Sequence, residues 1–366
     1  MTSDGVLPSQ ELRRMIFEKN ITSKTPIEKL QIQPSSLDLR LGAKAWRVQA
    51  SFLAGKDFLV EERLKDFKMH EFDLKNGAIF EKGCIYLAEI EENFFLPHHL
   101  EGVANAKSSI GRLDVLARLI TNYGTEFDRI ASGYSGNLYI EVSPKSFPIL
   151  VKSGQKLNQI RLRQGSTILN DFELKKLTSE ISLVDDEAII SNGLSFSVNL
   201  KNNDEKLIGF KAKSQTQIID LEKINFYNVK DFWEPLFPNK NSLILDPGAF
   251  YILVSREEVY IPPHYAAEMA PYVPMVGEFR VHYAGFFDPG FGKVINKKGS
   301  KGVLEVRCHE TPFNLQHGQS VGRLVFEKMK EKPDLLYGEN INSNYQGQKL
   351  KLSKHFKSFT NLFTQN

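Results

Sequence analysis

The sequence predicts a mainly β protein built from two tandem copies of one lobe, each a distorted barrel or jelly roll carrying a few short helices. Three observations carry that prediction. An internal repeat runs at a nearly constant offset, short segments alternate apolar and polar residues, and Gly and Pro turn signals separate them at spacings of about 8 to 15 residues. Many short, evenly spaced strands are the pattern of barrels and jelly rolls.

The repeat is read from two blocks. FEKGCIYLAEIEENFFLPHH from Phe80 matches LDPGAFYILVSREEVYIPPHY from Leu245, pairing Gly83, Tyr86 and Pro97 with Gly248, Tyr251 and Pro262 at an offset of 165. YIEVSPKSFPILVKSGQKLNQIRL from Tyr139 matches VLEVRCHETPFNLQHGQSVGRLVF from Val303, pairing Glu141, Gly154 and Gln155 with Glu305, Gly318 and Gln319 at an offset of 164. The first lobe is therefore expected over 1–170, a polar connector over 171–190 and the second lobe over 191–366. The run from Arg112 to Gly133 is longer in the first copy and the Gly290 to Glu305 hairpin longer in the second, as suits loops.

Along the chain, SQELRRMIFEK from Ser9 reads as a helix opened by a Ser cap, and Ile219–Trp233 as a weaker helix. The segments SLDLRLG, CIYLAEI, LYIEV, FYILV, VLEV and RLVFE read as strands. Each lobe is small for a closed pocket, so oligomerisation or packing of lobe on lobe is expected.

Composition excludes several classes. The chain has 366 residues, 41% hydrophobic and 25% charged, with 47 Lys plus Arg against 44 Asp plus Glu. That is ordinary globular usage, neither disordered nor collagen-like. A formal charge of +3 is too mild to indicate a nucleic-acid partner, although a local basic pocket for phosphates fits. Cys84 and Cys308 are the two cysteines, which allow neither a disulfide framework nor a four-cysteine zinc site and fit a reducing cytoplasm. The N-terminus has no apolar signal stretch and no run of 18 apolar residues occurs, so no membrane association is expected. The zinc-hydrolase, P-loop, nucleophile-elbow and Rossmann signatures are all missing.

Three stretches carry candidate chemistry. AKSSIGRLDV places Lys107, Ser108, Ser109 and Arg112 within six residues, a compact donor set for phosphate oxygens or a bound water. The same residues would also serve as a capped helix start with solvated cations. HYAGFFDPGFGKV from His282 has Asp-Pro-Gly turn chemistry, leaving Asp288 to bond a hydroxyl or simply to cap the turn. Glu305 follows in an apolar, alternating strand, where a carboxylate facing a closed pocket holds its proton more tightly; an exposed strand Glu is the alternative. The tail YGENINSNYQGQKL from Tyr337 reads as a flexible segment able to order over a ligand, or as a frayed end. His98, His99 and His264 show no ligand spacing and read as structural.

Together these pieces resemble the dCTP deaminase family, homo-oligomeric relatives of the trimeric dUTPases. The matching elements are QPSSLDLRLG from Gln33, KSSIGR from Lys107, HYAGFFDPGF from His282, the Glu of VLEV, Gly318 with Gln319, and YQGQ from Tyr345. The resemblance covers most of both lobes and implies dUTPase-like lobes and zinc-independent hydrolysis of dCTP to dUTP and ammonia in pyrimidine deoxynucleotide synthesis. It implies Glu305 as the residue that takes and returns protons, and Ser108 and Arg112 as holders of the water and stabilisers of charge, helped by the backbone at Ala284. Asp288 would bond the sugar, Val303 line the base pocket, and Lys107 and Ser109 take phosphate oxygens, with Tyr345 and Gln348 in the closing tail. Mg²⁺ is expected on the triphosphate and not on a protein ligand set.

The departures are informative. Repeat 2 reads APYVPM from Ala270 where the donors belong, and repeat 1 reads Ala131 where the sugar-binding Asp belongs. Each lobe thus keeps about half a site. In the family, sites lie between subunits of a homo-oligomer, so the expectation is a composite site of repeat 1 donors with Glu305, its rival a repeat 1 site using Glu141. A deaminase that also hydrolyses dUTP to dUMP, and a non-catalytic nucleotide-binding homologue, are the alternative functions.

Overall fold

The first lobe is a sheet of antiparallel strands in the order Val115–Thr121, Ser135–Pro144, Ile85–Phe95, Leu37–Val48, Lys156–Gln164, Leu100–Ala106 and Arg129–Ile130. The structure, a computed structural model, describes residues 4–201, 207–271, 279–281, 285–294, 297–339 and 344–359. Gly5–Val6, Ile21–Ser23 and Lys68–Asp73 add short strands to that sheet, and Ile219–Asp220, Ile149–Val151 and Ala78–Phe80 form a second one. The sheet bends where Leu37–Val48 slips register against Ile85–Phe95, between Leu41 and Ala45. Gly42 sits at that slip, where a β-carbon would come within 2.8 Å of the Glu89 Cβ. A helix, Val60–Phe67, covers part of the sheet and buries Val60 and Leu64 against Trp46, Leu87, Ile120 and Tyr139.

The second lobe has a five-stranded sheet in the order Trp233–Leu236, Gly209–Ala212, Phe250–Val259, Ser300–Cys308 and Phe279–Val281. A four-stranded sheet, Leu194–Ser197, Ser320–Lys328, Tyr265–Pro271 and Phe286–Phe287, accompanies it. Phe196, Leu253, Leu304, Val306, Leu324 and Phe326 belong to the common apolar core of this lobe. Burial of such side chains is worth about 1.5–3 kcal/mol each before the chain entropy is subtracted.

The sequence repeat is a repeat of hydrogen bonds. Glu81 N donates to the Tyr86 hydroxyl at 2.9 Å, and Asp246 N donates to the Tyr251 hydroxyl at 2.8 Å. Gly83 and Gly248 both take positive φ, 79° and 70°, which a β-carbon disfavours. Gln155 accepts from Lys152 N at 2.9 Å, and Gln319 from Gln316 N at 3.0 Å. Glu141 lies opposite Leu87 in one lobe and Glu305 opposite Ile252 in the other.

By contact clustering one unit holds Met1–Thr167, Ile218–Glu222 and Lys328–Leu336, and the other Ile168–Gln217, Lys223–Glu327 and Tyr337–Asn366. Residues 171–190 begin with a helix, Asp171–Glu180, capped by Asn170 and Glu173, whose Leu174 and Leu177 enter the second lobe's core. The N-terminal helix runs over Ser9–Phe17, but its cap position is Pro8; the Ser9 hydroxyl is bonded to Asp334 and caps no backbone group. The helix expected over Ile219–Trp233 is corrected. Ile219–Asp220 is a strand, and only Val229–Phe232 is helical. Ile219 N and Leu221 N donate to Pro148 O and Leu150 O at 2.9 and 3.2 Å, so pairing with a distant strand overrides the local periodicity. Asn225, at φ 52°, adds a turn that a helix could not accommodate.

Candidate active site

In the first lobe the donor stretch forms one turn of helix, Ser108–Gly111, entered from the Leu100–Ala106 strand. Lys107 anchors it twice. Its N–H donates to Leu157 O at 2.9 Å, and its carbonyl accepts from Ile110 N and Gly111 N at 2.8 and 3.0 Å. Arg112 N then closes on Ser108 O at 3.1 Å, so Lys107, Ser108, Ser109 and Arg112 are brought together on one short turn. Ser109 and Arg112 are buried and Ser108 half-buried. Lys107 is paired with the carboxylate of Asp38, itself buried, in the QPSSLD stretch. Asp38 lies across from Gln159, which on its other side faces Asn105, so a polar row crosses three strands beside the turn.

Glu141 is buried on the Ser135–Pro144 strand, directly opposite Arg118 on Val115–Thr121. Arg118 donates to the Glu141 carboxylate through Nε, at 3.2 Å, and through a terminal nitrogen. The guanidinium lies 3.8 Å from the centroid of the Phe127 ring and reaches the Ser51 hydroxyl at 3.1 Å. Beside it, Asp128 accepts from Leu119 N at 2.8 Å, in a positive-φ conformation at 61°. Burial pushes the Asp128 carboxyl up to about 7, against the Leu119 amide and Arg118, which pull it down, while Glu141 adds to the rise. This lobe therefore holds a carboxylate paired with an arginine, next to a second carboxyl that burial pushes toward its protonated form.

In the second lobe Glu305 is buried on Ser300–Cys308 at the register position that corresponds to Glu141. Its cross-strand neighbour is Ile252, beyond which lies Phe210, so the row it joins is apolar on that side. At the offset of the repeat, Arg118 corresponds to His282, which lies outside the described residues, as does Ala284. Val303 is buried two residues before Glu305 on the same strand. Asp288 is buried at the start of a tight turn: Phe291 N donates to Asp288 O at 3.0 Å, and Gly290 N to Ile261 O at 3.0 Å. Tyr345 and Gln348 are buried too. Gln348 exchanges two bonds with Lys301, its side chain donating to Lys301 O at 2.9 Å and its carbonyl accepting from Lys301 N at 3.1 Å. The tail, read as flexible, is here docked against the strand that carries Glu305.

Sequence reading missed Asp38, Arg118, Asp128 and Gln346. Asp38 stands inside a motif that was singled out, so the signal was present. Arg118 and Asp128 meet Glu141 only through antiparallel pairing across a long loop, which local spacing does not encode.

Two related β lobes, one with a turn of cationic and hydroxyl donors and both with a buried carboxylate at one register position, define a class of duplicated β proteins. Comparison with known proteins narrows that class. Residues 3–166 match the family described as the 2'-deoxycytidine 5'-triphosphate deaminase N-terminal domain, and residues 170–356 its C-terminal domain. A crystal structure of 2'-deoxycytidine 5'-triphosphate deaminase from Agrobacterium tumefaciens is 48% identical, with a TM-score of 0.86, covering 89% of this chain and 99% of that one. A "dCTP deaminase, dUMP-forming" of Corynebacterium efficiens is 30% identical over 161 residues, 43% of this chain and 78% of its own. The protein of the same description from Nanoarchaeum equitans is 26% identical over 185 residues, 46% of this chain and 89% of its own. The chain belongs to the dCTP deaminase family.

Proposed function

We propose that the protein hydrolyses the 4-amino group of dCTP to give dUTP and ammonia, with donors from the first lobe and the reacting carboxylate from the second. The observation that supports the choice of carboxylate is that Glu305 is buried in the lobe that carries Asp288, on the strand against which Gln348 docks.

In the proposed reaction a water bonds to C4 of cytosine while Glu305 takes one of its protons and passes it to N3. The second water proton then moves through Glu305 to the amine, the C4–N4 bond breaks, and ammonia leaves a C4 carbonyl. Ser108 and Arg112 hold the water and the charge that develops, with the backbone at Ala284 assisting. Val303 packs on the base, Asp288 bonds the sugar, and Lys107 and Ser109 meet phosphate oxygens, with Tyr345 and Gln348 closing the site. Asp38 holds Lys107 in place until phosphate competes for it. Among the described residues no group of three or more His, Cys, Asp or Glu side chains could hold a metal ion. The residues assigned to the triphosphate are a cation and a hydroxyl, which fits a Mg²⁺ carried by phosphate oxygens and water. That ion supplies charge neutralisation on the phosphates. The use of a carboxylate and not a zinc hydroxide rests on the missing H-x-E and P-C-x-x-C motifs. We assign the protein to the cytoplasm as a homo-oligomer, with no nucleic-acid or membrane partner.

The test is turnover of dCTP with ammonia and nucleotide products measured together. One ammonia and one dUTP per dCTP, unaffected by a zinc chelator in excess Mg²⁺, is the expected result. No ammonia at all, with dCTP still raising thermal stability, would leave a binding protein. The names of the Corynebacterium and Nanoarchaeum relatives favour a second reading, in which dUMP and pyrophosphate appear in place of dUTP.

A further inference from the structure

The turn that carries Asp288 contains two glycines in the left-handed region. Gly290 and Gly292 both take positive φ, 93° and 80°, and neither has a side chain to restrain the backbone. Backbone bonds hold it at Gly290 N to Ile261 O, Lys293 N to Gly290 O and Gly299 N to Gly292 O, and one residue from the tail adds a further restraint. The side-chain carbonyl of Gln346 accepts from Gly292 N at 3.0 Å. Its amide nitrogen donates to Gly290 O at 3.1 Å, Lys293 O at 2.7 Å and Tyr337 O at 3.3 Å, one of its hydrogens being shared. A single carboxamide thus ties three residues of the turn to the chain that leaves Tyr337. Tyr337 itself donates from N to Pro289 O at 2.9 Å, and its ring stands 5.7 Å from that of the buried Phe291. Space for the amide is kept by Gly338, at φ 82°, where a β-carbon would lie 2.7 Å from Gln346 Nε2. The neighbouring residues dock the same segment to the other arm of the hairpin: Gly347 N donates to the Ser300 hydroxyl at 2.9 Å, and Gln348 pairs with Lys301.

We propose that Gln346 is a positioning residue: its carboxamide locks the Gly290–Lys293 segment and so fixes the Asp288 carboxylate for the sugar hydroxyl of the nucleotide. The tail then acts on substrate choice through the turn, in addition to any contact that Tyr345 and Gln348 make. This rests on the assignment of Asp288 to the sugar made above.

The experiment compares Gln346→Ala, Asp288→Asn and the double variant with dCTP and with its 2',3'-dideoxy analogue, alongside amide hydrogen exchange of the intact enzyme. Gln346→Ala is expected to raise KM for dCTP about 5- to 10-fold with kcat changed less, the loss of one to two net hydrogen bonds. The penalty should nearly vanish in the Asp288→Asn background and with the dideoxy analogue, and Gly292 N–H should lose protection. Gln346→Glu keeps the acceptor for Gly292 N–H and should restore that protection without restoring KM. Additive effects in the double variant, or an equal penalty with the dideoxy analogue, overturn the proposal, because Gln346 would then act independently of Asp288. If Asp288→Asn leaves KM unchanged, the sugar assignment is what fails. The clamp is then judged by exchange alone and is overturned if Gly292 N–H stays protected in Gln346→Ala.

Discussion

Glu141 and Glu305 stand at the same register position of the two lobes, opposite Leu87 and Ile252. On that side the rows match, continuing to Trp46 in one lobe and Phe210 in the other; on its other side Glu141 meets Arg118, whose counterpart His282 lies outside the described residues. The groups that build the fold are the same in both lobes: a Tyr hydroxyl accepting an N–H five residues back, a positive-φ Gly beside it, a Gln side chain accepting from the residue three before it. The donor residues are not: the first lobe reads KSSIGR from Lys107 where the second reads APYVPM from Ala270. Duplicated lobes must each keep the turns that let them fold, whereas the donor turn is kept in one lobe alone.

The largest test of that contrast is a pair of substitutions. Glu305→Gln keeps the shape and removes the proton acceptor, and is expected to lower kcat by about 10³-fold or more, within the range attributed to general acid–base groups. Glu141→Gln should change kcat less than about threefold. Steady-state ammonia release on both variants decides it, and the reverse ranking would assign the reacting carboxylate to the first lobe.

A smaller effect concerns stability and belongs to the first lobe alone. The Asp128 carboxyl, raised by burial to about 7 from an ordinary value of 3.8, keeps its proton in the folded protein while the unfolded chain loses its own. Stability contributed by this group is therefore complete below about pH 4, falls as the pH rises through the interval up to about 7, and is level above it. Asp128→Asn keeps an acceptor for Leu119 N and should flatten that slope, stabilising the fold at neutral pH by on the order of 2–3 kcal/mol. Urea unfolding of both proteins at several pH values checks it, and an unchanged slope would mean that Arg118 holds the carboxyl ionised throughout.

Much of this organisation was legible in the sequence, because Gly83 with Gly248 and Tyr86 with Tyr251 mark turns whose chemistry is local. The donor turn at Lys107 to Arg112 was legible for the same reason. Arg118 was not, since its pairing with Glu141 depends on antiparallel register between strands separated by the loop that holds Asp128. Gln346, within YQGQ, is not legible either, because a side chain that bonds only backbone leaves no complementary residue to find. The helix misread at Ile219 failed for a related cause: its partner strand, Ile149–Val151, is about 70 residues away.

The smallest test asks whether the shared scaffold is energetically shared. Tyr86→Phe removes the acceptor for Glu81 N, and Tyr251→Phe the acceptor for Asp246 N, each leaving one N–H to find water or go unbonded. Each loss should cost about 0.5–1.5 kcal/mol. Tyr251 also donates to the Asp246 carboxylate at 3.3 Å, a long bond to a charged acceptor, so the second substitution should cost a few tenths of a kcal/mol more. The two sites lie in different lobes and share no partner, so the double variant should be additive within about 0.5 kcal/mol when denaturant unfolding is measured. A cost confined to one lobe would show that the repeated hydrogen bond is a relic of common descent there, with its stabilising role taken over by other contacts.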